Sequence, residues 1–278
     1  MTDHYYLLGT DVSKSPSPSM FNSAFSELKI DATYYPLNVP ADGLTSEFHR
    51  LGKESTRGMN ITIPFKTQIL SLLDELDPSS KSIGAVNVVK FSGGWSTGYN
   101  TDIHGITESL RCHGVSSVDS ALLLGSGGAA RAFCSAINSL GCKEISVVVR
   151  DKVRAKNFIE SMRNSFPAMR FEVSENHIPK ETKFDLVFNA TPPNSLSSDL
   201  LLELRDVISF KTVVFEAVYY PLKTDLLRIA SELGAKTIKG SEMLLNQALL
   251  AFKIWTGREP PRGIMERSLH SSLGDVAG

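Results

Sequence analysis

The sequence predicts an α/β protein of about two domains, the second built on a parallel sheet. Three observations carry this. The chain has 278 residues, and ordinary domains hold about 100–200. Short apolar runs alternate with helical patterns along most of its length. From residue 121 onward the alternation is a regular strand–turn–helix succession, which belongs to a parallel sheet covered on both faces.

The elements follow in chain order. YYLLG (5–9) is a short strand ending at a glycine, and MFNSAFSEL (20–28) has helical apolar spacing. ATYYPLNV (32–39) and GMNITI (58–63) are β-rich and run into prolines. KTQILSLLDEL (66–76) reads as a helix. GAVNVVKFSGGWSTGYN (84–100) reads as a hairpin turning at Gly93-Gly94. ITESLRCHG (106–114) is a helix closed by glycine. ALLLG (121–125) is a buried strand, followed by a Gly-rich turn and the helix AARAFCSAINSLG (129–141). EISVVVR (144–150) is the next strand and VRAKNFIESMRNS (153–165) the next helix. FDLVFNAT (184–191), TVVFEAVY (212–219) and AKTIKG (235–240) are further strands with helices between them. EMLLNQALLAFKIWTG (242–257) is a strongly apolar helix that follows the last strand and can pack back on the first domain.

Composition narrows the function classes. Hydrophobic content is 42% and charged content 21%, the balance of a globular protein with a real core. A net charge of −1 argues against an electrostatic grip on nucleic acid or on an anionic membrane. The three cysteines lack metal-ligand spacing, so free thiols in a reducing compartment and no metal site are expected. No signal-peptide pattern opens the chain and no apolar run is long enough for a bilayer. The expected location is cytoplasmic.

GSGGAA (125–130) stands between a predicted strand and a predicted helix and fits G-x-G-x-x-G/A. Gly125 permits the tight turn. Gly127 lets the backbone approach a pyrophosphate, which the helix N-terminus attracts. This predicts a dinucleotide site. The second strand of such a site ends in an acid when the ligand is NAD. Here it ends VVVRDKVRAK, with Arg150 and Arg154 about one helical turn apart and able to face one 2′-phosphate. NADP is therefore the expected cofactor. Asp151 leaves the alternative that an acid serves a ribose hydroxyl.

Three short segments of the first domain supply polar groups where strand ends and turns are expected: Lys66 in NITIPFK, Asn87 in GAVNVV and Asp102 in GYNTDIHG. Each has an ordinary use alone, as a surface lysine, a turn amide and a helix N-cap. Together with a nucleotide domain they suggest more. Hydride transfer between a nicotinamide and a carbonyl needs a proton source, and a Lys–Asp pair can be one.

In family order and at family spacing, SPSPSMFNSAF, NITIPFK, GAVNVV, GYNTD, GSGGAA, VVVRDKVRA, NATPP, YYPLKTDLL and GSEMLLNQA resemble the shikimate dehydrogenase family over nearly the whole chain. The resemblance implies a split α/β substrate domain (1–104, completed by 241–278). It implies a Rossmann-type, doubly wound NADP domain (105–240), with the active site in the cleft between the two. It implies NADPH-dependent reduction of 3-dehydroshikimate to shikimate, on the route to aromatic amino acids, by a monomer or homodimer acting on a small molecule. Carried over by position, Lys66 is the catalytic lysine, and Asp102 pairs with it and holds a substrate hydroxyl. Asn87, Gln247, Thr62 and Tyr219 contact substrate. Gly125, Ser126, Gly127, Gly128 and Ala129 form the phosphate loop. Arg150, Asp151 and Arg154 lie at the 2′-phosphate, while Ala217 and Gly240 pack the nicotinamide. Gln247 is an amide within an apolar helix, where burial requires a partner, and a substrate hydroxyl in the cleft is the expected one.

The sequence departs from the family at Thr10-Asp11, where Asn-Pro is common, and at Lys14 and Phe21, where histidines are common. It departs again at Val149-Arg150-Asp151, at Glu216 in place of Asp, and at Asn194 in place of Gly. Activity on quinate, or on both acids, is the neighbouring alternative. A silent NADP-binding regulator is a more distant one, since Lys66, Asp102 and Gln247 are all present.

GTDVSKSPSPSMFN (9–22) fits the family's Ser-x-Ser-Pro in two phases. Only the phase Ser15-Pro16-Ser17-Pro18 also places Asn22, Ala24 and Phe25 correctly. Ser15 and Ser17 are thus the expected carboxylate grip, held in an extended, proline-stiffened segment.

Overall fold

The structure is a computed structural model that describes residues 2–52, 55–179 and 183–274, apart from the side chain of Arg154. The chain divides into two compact units. Unit 1 is Met1–His104 with Leu245–Gly278, and unit 2 is Gly105–Leu244.

Unit 1 begins with strand β1 (Asp3–Gly9), helix α1 (Ser17–Glu27) and strand β2 (Ala32–Asn38). Next come α2 (Leu44–Leu51), β3 (Thr56–Ile61), the two-residue β4 (Glu75–Leu76) and α3 (Pro78–Ile83). The hairpin β5 (Val88–Ser92) and β6 (Trp95–Tyr99) leads into α4 (Asp102–Cys112). The strand order is β2-β1-β3-β5-β6-β4, parallel through β2, β1 and β3 and antiparallel across β3, β5 and β6. Pro36 is tolerated inside β2 because that strand is an edge, where a missing N–H costs no ladder bond. Gly93 and Gly94 both have positive φ, +60° and +83°, as a two-residue hairpin turn requires.

The expected helix over 66–76 is a correction. A 3-10 turn covers only Gln68–Leu72, and β4 follows it. The Asp74 carboxylate accepts from both the amide and the hydroxyl of Ser96 (2.8 and 2.7 Å). These bonds tie the segment to the hairpin and override its helical periodicity.

Unit 2 holds β7 (Ser120–Leu124), α5 (Gly128–Ser139), β8 (Glu144–Val149), α6 (Lys152–Ser165), β9 (Arg170–Glu175) and β10 (Leu186–Asn189). It continues with α7 (Ser198–Val207), β11 (Val213–Glu216), α8 (Asp225–Glu232) and β12 (Lys236–Ile238). All six strands are parallel, in the order β12-β11-β10-β7-β8-β9. This is the doubly wound nucleotide-binding order, whose topological switch lies between β7 and β10. Ser197 and Thr224 cap α7 and α8 through their side chains, in keeping with the residue types that helix starts favour.

Helix α9 (Gly240–Thr256) contains the second boundary between the units, and α10 (Arg262–Leu273) follows it. On one face of the unit 1 sheet, Tyr5, Phe21, Phe25, Tyr34, Phe252 and Trp255 form an aromatic core, with Phe21 and Tyr34 stacked at 4.6 Å. Rings stacked this way contribute about 0.5–1.5 kcal/mol beyond their buried area. The returning helix thus supplies part of unit 1's core. Among the described residues no helix is long and apolar enough to cross a membrane.

Candidate active site

In unit 1 the candidate site grows from three chain reversals. After β3, fully buried Phe65 anchors a turn, and the Lys66 carbonyl accepts from the Val86 amide at 2.8 Å. Asn87 lies just before β5. Its amide donates to the Tyr99 carbonyl at 3.1 Å and its carbonyl accepts from the Ile61 amide at 2.9 Å. Asp102 opens α4, but it does not cap that helix. The Asn100 side chain does so, accepting from the Ile103 amide at 3.3 Å. The Asp102 carboxylate is therefore free to turn inward.

These side chains form one buried network. The Lys66 ammonium donates to Asp102 Oδ2 at 2.5 Å, with side-chain exposures of 15% and 6%. Asn87 Nδ2 donates to Asp102 Oδ1 (3.0 Å), to Thr101 Oγ1 (2.9 Å) and to Gln247 Oε1 (3.3 Å). The Thr101 hydroxyl donates to Gln247 Oε1 at 3.2 Å, and its amide donates to Asn87 Oδ1 at 2.7 Å. Gln247 on α9 thus meets the partners that a buried amide needs. An ion pair this dry is held only when its remaining donors and acceptors are satisfied, and Asn87 supplies that. The structure brings Lys66, Asp102, Asn87 and Gln247 together. Thr101 is a member that the sequence reading missed, although it stands beside Asp102 in GYNTD.

The serine-rich segment differs from expectation in its backbone. Ser15 and Ser17 do not alternate along an extended strand. Pro16 has helical angles (φ −75°, ψ −9°) and Ser17 is the first residue of α1. Pro18 sits in the first helical turn, where its missing N–H is harmless, so the helix starts before it. The two hydroxyls still converge, Ser15 Oγ donating to Ser17 Oγ at 3.2 Å. Ser13 accepts from Asn38 Nδ2, and Ser19 bonds Ser268. Thr62 is half-buried at the end of β3, its amide donating to the Leu8 carbonyl at 2.9 Å.

In unit 2, β7 is followed by Gly125, whose φ of +102° is strained for any residue with a Cβ. Gly127 precedes α5 with no side chain capping the helix, and a Cβ there would meet no atom within 4 Å. Ser126, Gly128 and Ala129 complete the turn, each partly exposed. Open space over Gly127, beside uncapped helix N–H groups, suits a pyrophosphate. Arg150 is exposed at the end of β8. Asp151 Oδ1 accepts from the Val153 amide at 2.9 Å and so caps α6, which gives this acid a structural use. The side chain of Arg154 lies outside the described residues. Arg131 on α5 donates to Ser161 and lies over the Phe158 ring, and burial lowers its pKa.

Ala217 and Gly240 are also neighbours, since a Cβ on Gly240 would strike the Ala217 and Val218 carbonyls. Tyr219 is half-buried in the segment after β11. Asn194, which replaces the family's glycine, has φ +58°, a left-handed conformation that asparagine tolerates better than most residues. Among the described residues no group of acidic, His or Cys side chains is arranged to hold a metal.

Comparison with known proteins identifies the family. Residues 7–89 match the model of the shikimate dehydrogenase substrate binding domain, and residues 240–270 match that of the shikimate 5'-dehydrogenase C-terminal domain. The chain is 35% identical to shikimate dehydrogenase (NADP(+)) of Nitrosopumilus maritimus, over 95% of this chain and 97% of the relative. The crystal structure of shikimate dehydrogenase from Aquifex aeolicus superposes with a TM-score of 0.85 at 33% identity, covering 96% of this chain and 97% of the other. Shikimate 5-dehydrogenase of Thermus thermophilus, solved in complex with NADP(H) and shikimate, gives a TM-score of 0.83 at 30% identity, covering 98% of this chain and all of the other.

Proposed function

The chain belongs to the shikimate dehydrogenase family, and from that premise we propose that it catalyses the reversible reduction of 3-dehydroshikimate to shikimate with NADPH. Unit 1 is the substrate domain and unit 2 the NADP domain. The observation that carries the chemistry is the Lys66–Asp102 pair, held by Asn87 to Thr101 and Gln247.

Bound NADPH supplies the hydride. Lys66 Nζ gives a proton to the carbonyl oxygen as it becomes a hydroxyl, and takes it back in the oxidation direction. Asp102 fixes the ammonium and accepts from a substrate hydroxyl. Asn87 and Gln247 orient ring hydroxyls. Ser15 and Ser17, whose hydroxyls stand 3.2 Å apart, bind the carboxylate with Thr62 nearby, and Tyr219 contacts the substrate. Gly125 to Ala129 hold the pyrophosphate, Arg150 and Arg154 the 2′-phosphate, and Ala217 and Gly240 the nicotinamide face. Asp151 Oδ1 serves as a helix cap, and exposed Arg150 stands beside it as a partner for the 2′-phosphate. The three free cysteines accord with work in the cytoplasm.

Steady-state oxidation of shikimate and of quinate, each with NADP and with NAD, tests this. The highest kcat/KM is expected for shikimate with NADP. Absence of any nucleotide-linked oxidation of shikimate overturns it.

A further inference from the structure

The segment after β11 carries a buried charge that the chemistry above does not use. Glu216 is fully buried at the end of β11. Its carboxylate accepts four hydrogen bonds. Asn189 Nδ2 donates to both oxygens (3.0 Å each), the Val218 amide to Oε1 (3.1 Å) and the Thr224 hydroxyl to Oε2 (3.0 Å). None of these donors is a cation, so burial raises the Glu216 pKa. Keeping a fully buried carboxylate at the end of a parallel strand is costly, and an apolar residue would serve packing alone.

The contacts run in two directions. Val218 and Thr224 bracket the segment that holds Tyr219. On the other side, Asn189 Oδ1 accepts from the Thr191 amide and hydroxyl (3.0 and 2.6 Å). The Thr191 methyl lies 3.1 Å from the position a Gly125 Cβ would take. One chain of hydrogen bonds thus links Thr224 and Val218 through Glu216 and Asn189 to Thr191, whose methyl stands beside Gly125 of the phosphate loop.

We infer that Glu216 is a positioning residue that sets two binding segments at once: the turn behind the phosphate loop and the 217–224 segment with its substrate-contacting tyrosine. The inference rests on the function proposed above. The demand for a carboxylate follows from the donor count. An amide has one acceptor oxygen, so Glu216→Gln keeps the shape but turns an NH2 towards groups that already donate.

Glu216→Gln is expected to raise both the NADPH Kd, read by nucleotide fluorescence, and the shikimate KM by about tenfold. Thr224→Val releases only the 217–224 side, which carries Tyr219 and, at its start, Ala217, so it should raise KM and weaken NADPH less than Glu216→Gln does. Thr224→Ser, which restores both the hydroxyl and the helix cap, should return KM to the wild-type value. A lowered Tm with neither constant changed in Glu216→Gln would make Glu216 merely structural and overturn the inference. A change in only one constant would overturn it as well. If Glu216→Gln does not fold, an unaltered KM in Thr224→Val has the same force. The wild-type enzyme is the control. If it fails to oxidise shikimate, the proposed function fails; if it turns over while the variants bind normally, only this inference does.

Discussion

Replacing Asp102 by Asn separates the charge of the proposed proton-transfer pair from its shape. In the wild type, Oδ2 accepts from Lys66 Nζ at 2.5 Å and Oδ1 from Asn87 Nδ2 at 3.0 Å. Both partners are donors, and an amide has one acceptor oxygen, so one contact must be lost. The cheaper orientation turns the oxygen to Lys66. Asn87 then loses one acceptor but keeps Thr101 at 2.9 Å and Gln247 at 3.3 Å, so it is not orphaned. The larger loss is the counter-charge: the Lys66 ammonium keeps an acceptor but no ion partner, and leaving a buried charge uncompensated costs up to about 3–5 kcal/mol. With the pair mostly buried, Tm should fall by several degrees, at about 2–4 °C per kcal/mol for a chain of this size. Catalysis should suffer more, because a misheld proton donor costs about 10²- to 10⁴-fold. The assay follows NADP-linked oxidation of shikimate by absorbance, with kcat and KM measured separately and Tm by differential scanning fluorimetry. A kcat within about threefold of wild type, alongside a lowered Tm, would show that Asp102 holds the fold and not the proton.

Three further outcomes are expected. Gly127→Ala should weaken NADPH binding while leaving Tm unchanged, because its methyl enters open space; Gly125→Ala should lower Tm, because φ there is +102°; equal Tm values for the two would contradict both. Ser15→Ala should raise the shikimate KM and Ser13→Ala should not, since Ser13 is engaged with Asn38; parallel kinetics would remove the Ser15–Ser17 grip. Burial raises the Glu216 pKa, so between the unfolded and the folded value the native chain holds a proton that the unfolded chain has lost. That contribution to stability is complete at and below the ordinary carboxyl range and disappears as pH rises through the folded value. The Tm of wild type relative to Glu216→Gln should therefore rise as pH falls towards the ordinary carboxyl range, and a constant difference would count against a buried titrating carboxylate.

Much of unit 2 is legible in the sequence, since its central strands are continuous apolar runs and GSGGAA punctuates the first of them. Strand β9 escapes because it is an edge strand. Its residues alternate with exposed Arg170, Glu172 and Glu175, which hide the apolar period. The 66–76 segment misleads because its conformation is decided by Ser96, far along the chain. Lys66 and Asp102 can each be found as unusual residues, but their contact joins positions 36 apart. It exists only because β3, β5 and β6 pair in one register. Thr101 carries no local signal, and Glu216 shows only as an acid in place of the family's Asp. A buried threonine and a buried acid show their use only once their partners are in place.

The interleaving of the two units has a consequence for synthesis. Unit 2 is one contiguous stretch, Gly105–Leu244, so all of it leaves the ribosome before unit 1 is complete. It is able to fold first. Unit 1 must wait with Phe21, Phe25 and Tyr34 uncovered until Phe252 and Trp255 arrive on the last long helix. The same helix delivers Gln247. A nascent chain therefore acquires the glycine turn of unit 2 early and the Lys66–Asp102–Gln247 network last, and its uncovered aromatic face leaves it open to aggregation in the interval between them.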